Sequence, residues 1–202
     1  MTLAKVPRHT RFEVVERDAT RVLRIDVDGS YGNLMHKIDR DSEPARGTIL
    51  RWRWRVETLS GSTDLTRKSG DDAPARVCVL FDLPLERLGT TDRLALRMGR
   101  AMFDPDLPAA ALCYIWDANL AVGTRLPNAY TARVMQYVLE RGAATVWKEE
   151  RRDLRSDFAA AFPAESASGP FPAIAAIGIS ADGDNTRARS LAFVGDLFLG
   201  TE

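Results

Sequence analysis

Lysine is scarce in this chain of 202 residues: Lys5, Lys37, Lys68 and Lys148 are the only four among 28 basic side chains. The rest are arginine, whose planar fork suits bidentate pairing with carboxylates or anionic ligands, although surface arginine is also common without a role. Histidine is scarcer still, with His9 and His36 far apart, which weighs against a His-rich metal centre or a Ser-His-Asp triad. The two cysteines, Cys78 and Cys113, have no short spacing and form neither a zinc motif nor a disulfide framework. Both lie in apolar runs and read as buried free thiols, a single bridge between neighbouring strands being the alternative. Net charge is zero, so nothing points to a nucleic-acid partner. No apolar run is long enough to span a bilayer, and Met1 to Pro7 lacks the apolar core of a signal peptide. The sequence leaves the location open: periplasmic or otherwise exported if a leader is missing from this chain, cytoplasmic if not. There is no phosphate loop, dinucleotide fingerprint, G-x-S-x-G elbow or internal repeat.

What is present is ordinary in amount, 45% hydrophobic and 28% charged, and suits one domain over residues 1–202. The most informative stretch is Ile49 to Glu57. As a strand it puts Leu50, Trp52, Trp54 and Val56 on one face to pack, and Arg51, Arg53 and Arg55 on the other. Three aligned like charges need carboxylates or an anionic ligand across from them, which makes Arg53 a candidate binding residue. Further strands are expected over 11–16, 20–27, 33–38, 75–81, 110–116, 130–139, 145–148, 173–179 and 190–199, with Glu140-Arg141-Gly142 closing a hairpin. A polar run, Asp39 to Pro44, ends the third of these. Helices are expected over 91–103, with Leu94, Met98 and Met102 on one face, and over 151–162, with Leu154, Phe158 and Phe162 on one face and Pro163 as its stop. Many short strands with little helix predict an antiparallel β-sandwich, jelly-roll-like, with one or two short helices.

Polar clusters interrupt this pattern. Gly70-Asp71-Asp72 precedes a strand in which Arg76 stands among apolar residues. A buried Arg76 must be paired, and Asp71, Asp72 or an acid from a neighbouring strand are the available partners. Trp147 to Asp153 is a charged run leading into a helix, and it contains Glu150 and Arg152. Asp182-Gly183-Asp184-Asn185-Thr186 opens like an EF-hand loop, but its twelfth position is Phe193 where that loop requires a bidentate Glu. It is therefore not an EF-hand, and a calcium ion of another kind at Asp182–Asn185 stays open beside a plain turn. No other cofactor is expected. Tyr114, Trp116 and Tyr130 are the aromatic candidates for a binding face.

In order along the chain, the Arg/Trp strand, Gly70-Asp71-Asp72 with Arg76, Tyr114-Ile115-Trp116, Trp147 with Glu150 and Arg152, and the Asp182 to Thr186 loop resemble a bacterial family catalogued as domain of unknown function 3047. The resemblance runs from about His9 onward. It implies a compact β-sandwich, in many members exported behind a leader, with no activity assigned. Ala73-Pro74 departs from it where an aromatic is expected.

The expected function is non-catalytic binding of a carbohydrate or similar polar small molecule. The candidate ligand-binding residues are Arg53, Asp71, Asp72, Arg76, Trp116, Glu150, Arg152, Asp182, Asp184 and Asn185. One alternative is an enzyme, a glycan hydrolase or lyase, using a carboxylate pair drawn from Asp71, Asp72, Glu150, Asp182 and Asp184. Another is a structural protein in which these charges only fix the fold.

Overall fold

A computed structural model describes residues 8–39, 42, 46–102 and 107–201. Among the described residues the protein is mainly β, 54% strand and 17% helix, arranged as two sheets. The strands are β1 (Arg11–Arg17), β2 (Thr20–Asp28), β3 (Tyr31–Lys37), β4 (Ile49–Ser60), β5 (Ala75–Asp82), β6 (Ala110–Asp117), β7 (Arg125–Asn128), β8 (Thr131–Arg141), β9 (Ala144–Asp153), β10 (Ala173–Asp182) and β11 (Arg189–Gly200). Helices α1 (Thr90–Met102), α2 (Leu154–Ala161) and α3 (Pro163–Ala167) lie in the connections. One sheet has the order β1-β2-β11-β4-β9, the other β3-β10-β5-β6-β8-β7.

The sheets meet on the faces that alternation assigns to packing. Leu50, Trp52, Trp54 and Val56 of β4 are buried against β6 of the other sheet. Trp52 packs on Tyr114 at 5.2 Å between ring centroids and Trp54 packs edge-on to Trp116 at 5.4 Å. Such rings bury much apolar area, and edge-on contacts suit their quadrupoles. On β5, Ala75, Val77, Val79 and Phe81 face this core, and Arg76, Cys78 and Leu80 face away from it.

Several expectations change. Among the described residues every pairing between these strands is antiparallel except that of β6 with β8. The chain leaves β6, forms the edge strand β7, turns, and returns as β8 between the two. Pro127 explains why β7 went unread: without an N–H it fits only an edge. β8 and β9 are not a hairpin, because β9 pairs with β4 in the opposite sheet. The expected helix from 151 starts three residues later. Residues 151–153 are taken by the edge of β4, and Asp153 caps α2 by accepting from the Arg155 and Ser156 amides. Leu154, Phe158 and Phe162 are buried together as their spacing predicts. Pro163 ends that helix and occupies the first turn of α3.

On α1 the apolar stripe points outward: Leu94 is 62% and Met98 53% exposed, and Leu96 is the buried residue. The docked face instead uses Arg93, which donates to the Glu86 and Leu88 carbonyls, and Arg100, which donates to the Leu107 carbonyl. Arginines that satisfy carbonyls are invisible to a hydrophobic-period reading. The side chain of Met102, and Phe103 altogether, lie outside the described residues, as does most of the Asp39 to Pro44 run. Among the described residues no helix is long and apolar enough to cross a membrane.

Cys78 and Cys113 are joined in a disulfide, so the free-thiol expectation is overturned. They stand directly opposite one another on β5 and β6, with Cα atoms 4.0 Å apart. Sequence spacing carries no trace of a register that only sheet pairing creates.

Candidate functional site

The outer face of the six-stranded sheet forms a groove of about 1160 Å³. Arg76 points into one end of it from the central strand β5. A guanidinium in that position needs partners, and two aspartates from opposite ends of the sequence supply them. Arg76 Nη1 donates to Asp182 Oδ1 at 2.5 Å, and Nη2 to Asp71 Oδ1 at 3.1 Å. Asp182 Oδ1 also accepts the Ala73 amide at 2.7 Å, and Asp71 Oδ2 accepts Asn128 Nδ2 at 2.7 Å.

Asp72 lies beneath, fully buried, and accepts four hydrogen bonds. Asn185 gives its amide and Nδ2 to Oδ1, and Thr186 its amide and hydroxyl to Oδ2. These bonds fasten the turn after β10 to the segment before β5. Gly183 permits that turn, because a Cβ there would lie 2.4 Å from the Ala188 carbonyl oxygen and 2.8 Å from Val27. Gly70 has the same steric need, since its Cβ would meet the Asp64 backbone at 2.9 Å. The Gly-Asp-Asp and Asp-Gly-Asp-Asn motifs are thus two halves of one structure.

Around this cluster stand Tyr31, Asn33, Asn128 and Tyr130, with Asp184 and Asn185 at the rim. Tyr130 is 59% exposed, donates its hydroxyl to the Lys68 carbonyl and carries the Lys68 ammonium 5.2 Å over its ring. Beyond Arg76 the floor of the groove turns apolar, lined by the disulfide, Leu80, Ala111, Val134 and Leu107, while Lys37, Asp82 and Arg100 also line the groove.

Burial dominates the electrostatics. It pushes the Asp182 carboxyl up to about 6, against the pull of Arg76. Burial also works against the Arg76 charge, but Asp182 and Asp71 outweigh it and hold the guanidinium above its ordinary range. The Asp184 carboxyl is raised, first by burial and then by the negative charge of Asp72. Tyr31 is raised by burial and by Asp182. A carboxyl raised in the folded state binds its proton more readily there than in the unfolded chain, so its contribution to stability falls as pH rises through that window. Relative to Asp182→Asn, the native protein should therefore lose unfolding free energy as pH goes from about 4 to about 6. Urea unfolding of both proteins across that range tests this, and parallel curves would refute it.

Asp72, Asp182 and Asp184 bring carboxylate oxygens within 4.8 Å of one another, which invites a cation. Their existing partners argue against calcium. Both Asp72 oxygens are committed to four donors, and Asp182 shares its charge with a guanidinium that a dication would face directly.

Of the residues singled out from the sequence, Asp71, Arg76, Asp182, Asp184 and Asn185 line this groove, with Asp72 below it. Four others lie elsewhere. Arg53 is on the outer face of the other sheet, 2.5 Å from Asp196 and stacked on Trp147. Its neighbours there, Asp18 and Glu57 on Arg55 and Phe198 on Arg51, compensate the arginine row with carboxylates and rings. Trp116 is fully buried between the sheets, its Nε1 donating to the Gly142 carbonyl, and Tyr114 is buried beside it. Neither presents a face to a ligand. Glu150 accepts Trp54 Nε1 at 3.1 Å. Arg152 forks onto Asp157, which Tyr114 also donates to, so this pair belongs to a separate network on the core side of β9. Tyr31, Asn33 and Asn128 carried no signal in the sequence beyond being turn or edge residues, and only the sheet order brings them here.

A family model described as protein of unknown function (DUF3047) matches residues 1–198. No curated protein matches the chain.

Proposed function

Since the chain belongs to the family DUF3047, whose description assigns no activity, we propose from the groove's chemistry that it is a non-catalytic binding module for a carbohydrate or similar polyhydroxylated ligand. The observation that carries this is the meeting of planar polar side chains (Asp71, Arg76, Asn128, Asp184, Asn185) with the tyrosine rings of Tyr31 and Tyr130 in one solvent-reachable concavity. Concave sites with a few convergent polar groups are the usual form of small-molecule sites. Four aspartates against Arg76 and Lys68 leave this end acidic, which favours hydroxyl donors over anions. The Cys78–Cys113 bridge supports an exported location, because disulfides persist in oxidising compartments.

A glycan array followed by titration tests the reading. Asp184→Asn should weaken the best glycan by on the order of tenfold or more, as expected for losing a charged acceptor. Its melting temperature should stay within about 2 °C, because Asp184 is at the rim. Unchanged glycan affinity in that variant would remove the groove from the account. The raised carboxyls of Asp182 and Asp184 favour a second reading, acid–base catalysis on a glycan. Release of product from an array-positive glycan, abolished in Asp184→Asn, would put the enzyme in place of the binding module.

A further inference from the structure

We propose that the groove's ligand is an amphiphile, with a hydroxyl-rich head at the Arg76 end and an alkyl or acyl chain along the floor. This rests on the binding reading above and adds the ligand's second half. Moving away from Arg76, the outward positions of β5 and β6 pair as Cys78 with Cys113 and Leu80 with Ala111. Along Cys78 and Leu80 the floor is uncharged and bridged by the disulfide, with Lys37, Asp82 and Arg100 on the groove's walls around it. From Arg76 to Leu80 it covers four residues, roughly 13 Å of strand. Leu107 and Val134 wall the same stretch. The volume of about 1160 Å³ exceeds what a monosaccharide would fill. A free sugar would satisfy the aspartates and tyrosines and leave this apolar strip to water, whereas an attached chain would cover it.

The strip also has an adjustable border. Met35 is 43% exposed and rests over Gly178, where a Cβ would come 2.5 Å from the Met35 sulfur. Glycine lets the thioether lie flat there, and methionine adapts its shape readily. Gly178 is an ordinary strand position without left-handed backbone. A larger residue is therefore conformationally allowed, and it would push into the floor between Met35 and Cys78, its partners across the sheet.

Calorimetric titration with methyl and octyl β-glucosides and the matching maltosides, below their micelle concentrations, tests the proposal. Each methylene buried adds roughly a factor of four in affinity, so the octyl compound of the better pair should bind more than tenfold tighter than the methyl compound. Gly178→Leu should remove at least tenfold of the octyl affinity and cost the methyl compound much less, since only the edge of the head site, at Asn33, adjoins the new side chain. Should that variant fail to fold, Ala111→Phe fills the same floor from β6 and gives the same readout. Equal binding of methyl and octyl glycosides overturns the amphiphile and leaves the polyhydroxyl reading standing. Binding of 1-octanol as tight as the octyl glycoside overturns both, because the head then contributes nothing. Absence of binding by every glycoside overturns the amphiphile, and a negative glycan array beside it removes the reading of the head as well.

Discussion

Arg76→Met is expected to cost about 3–5 kcal/mol of unfolding free energy, the loss seen when one partner of a buried ion pair is removed. The side chain is 9% exposed on a central strand, and both its carboxylate partners are 8% exposed. Methionine fills the space but leaves Asp71 and Asp182 facing one another without a cation. In a chain of this length the melting temperature should fall on the order of 6–20 °C. Adding Asp71→Asn and Asp182→Asn to Arg76→Met should recover part of the loss, since replacing a buried charged group as a whole is far less costly than orphaning one member. The asparagine at 182 can still accept the Ala73 amide that Asp182 accepts now. Circular dichroism melts of the three proteins check this. A loss below about 1 kcal/mol in Arg76→Met would mean that the two aspartates are solvated and the cluster is not an interior one.

The second large effect belongs to the disulfide. Its cysteines are 35 residues apart, and closing a loop of that size restricts the unfolded chain by roughly 3–4 kcal/mol. The double variant Cys78→Ser/Cys113→Ser should lose about that amount, seen as a lower urea midpoint with the native spectrum retained. With exposures of 9% and 6%, the bridge should resist reduction until the protein unfolds. Unfolding in urea with iodoacetamide but no reductant should leave the mass unchanged. Two alkylated thiols in that experiment would restore the free cysteines that the sequence suggests.

These two results concern features of unequal legibility. Arg76 was readable because a charge in an otherwise apolar strand has to be compensated, and the compensating acids stood in Asp-rich turns beside buried strands. The alternation in 49–57 was readable because period two survives any sheet order. The bridge was not readable, because it depends on β5 and β6 being neighbours in register. The same limit separated Arg53, Trp116, Glu150 and Arg152 from the groove: residue type told what each could do, while sheet order and face decided where each stood. Glu150 and Arg152 share a strand with Trp147, yet alternation sends them to the core side and Trp147 to the outer face with Arg53. The groove's floor went unread for a related reason. Cys78, Leu80 and Ala111 look like core residues in sequence, and only their place on the face turned away from the other sheet makes them a lining.

The bonds from Asp72 to Asn185 and Thr186 join positions 113 and 114 residues apart. During synthesis, β5 emerges from the ribosome long before the turn that will hold the loop in front of it. Until then Arg76 has Asp71 beside it and lacks Asp182, so an incomplete chain carries a half-neutralised charge in what will become its central strand. Such distant contacts form slowly, and the recess should be the last part of the molecule to acquire its shape. Nascent chains halted before residue 182 would be natural clients for chaperones and proteases.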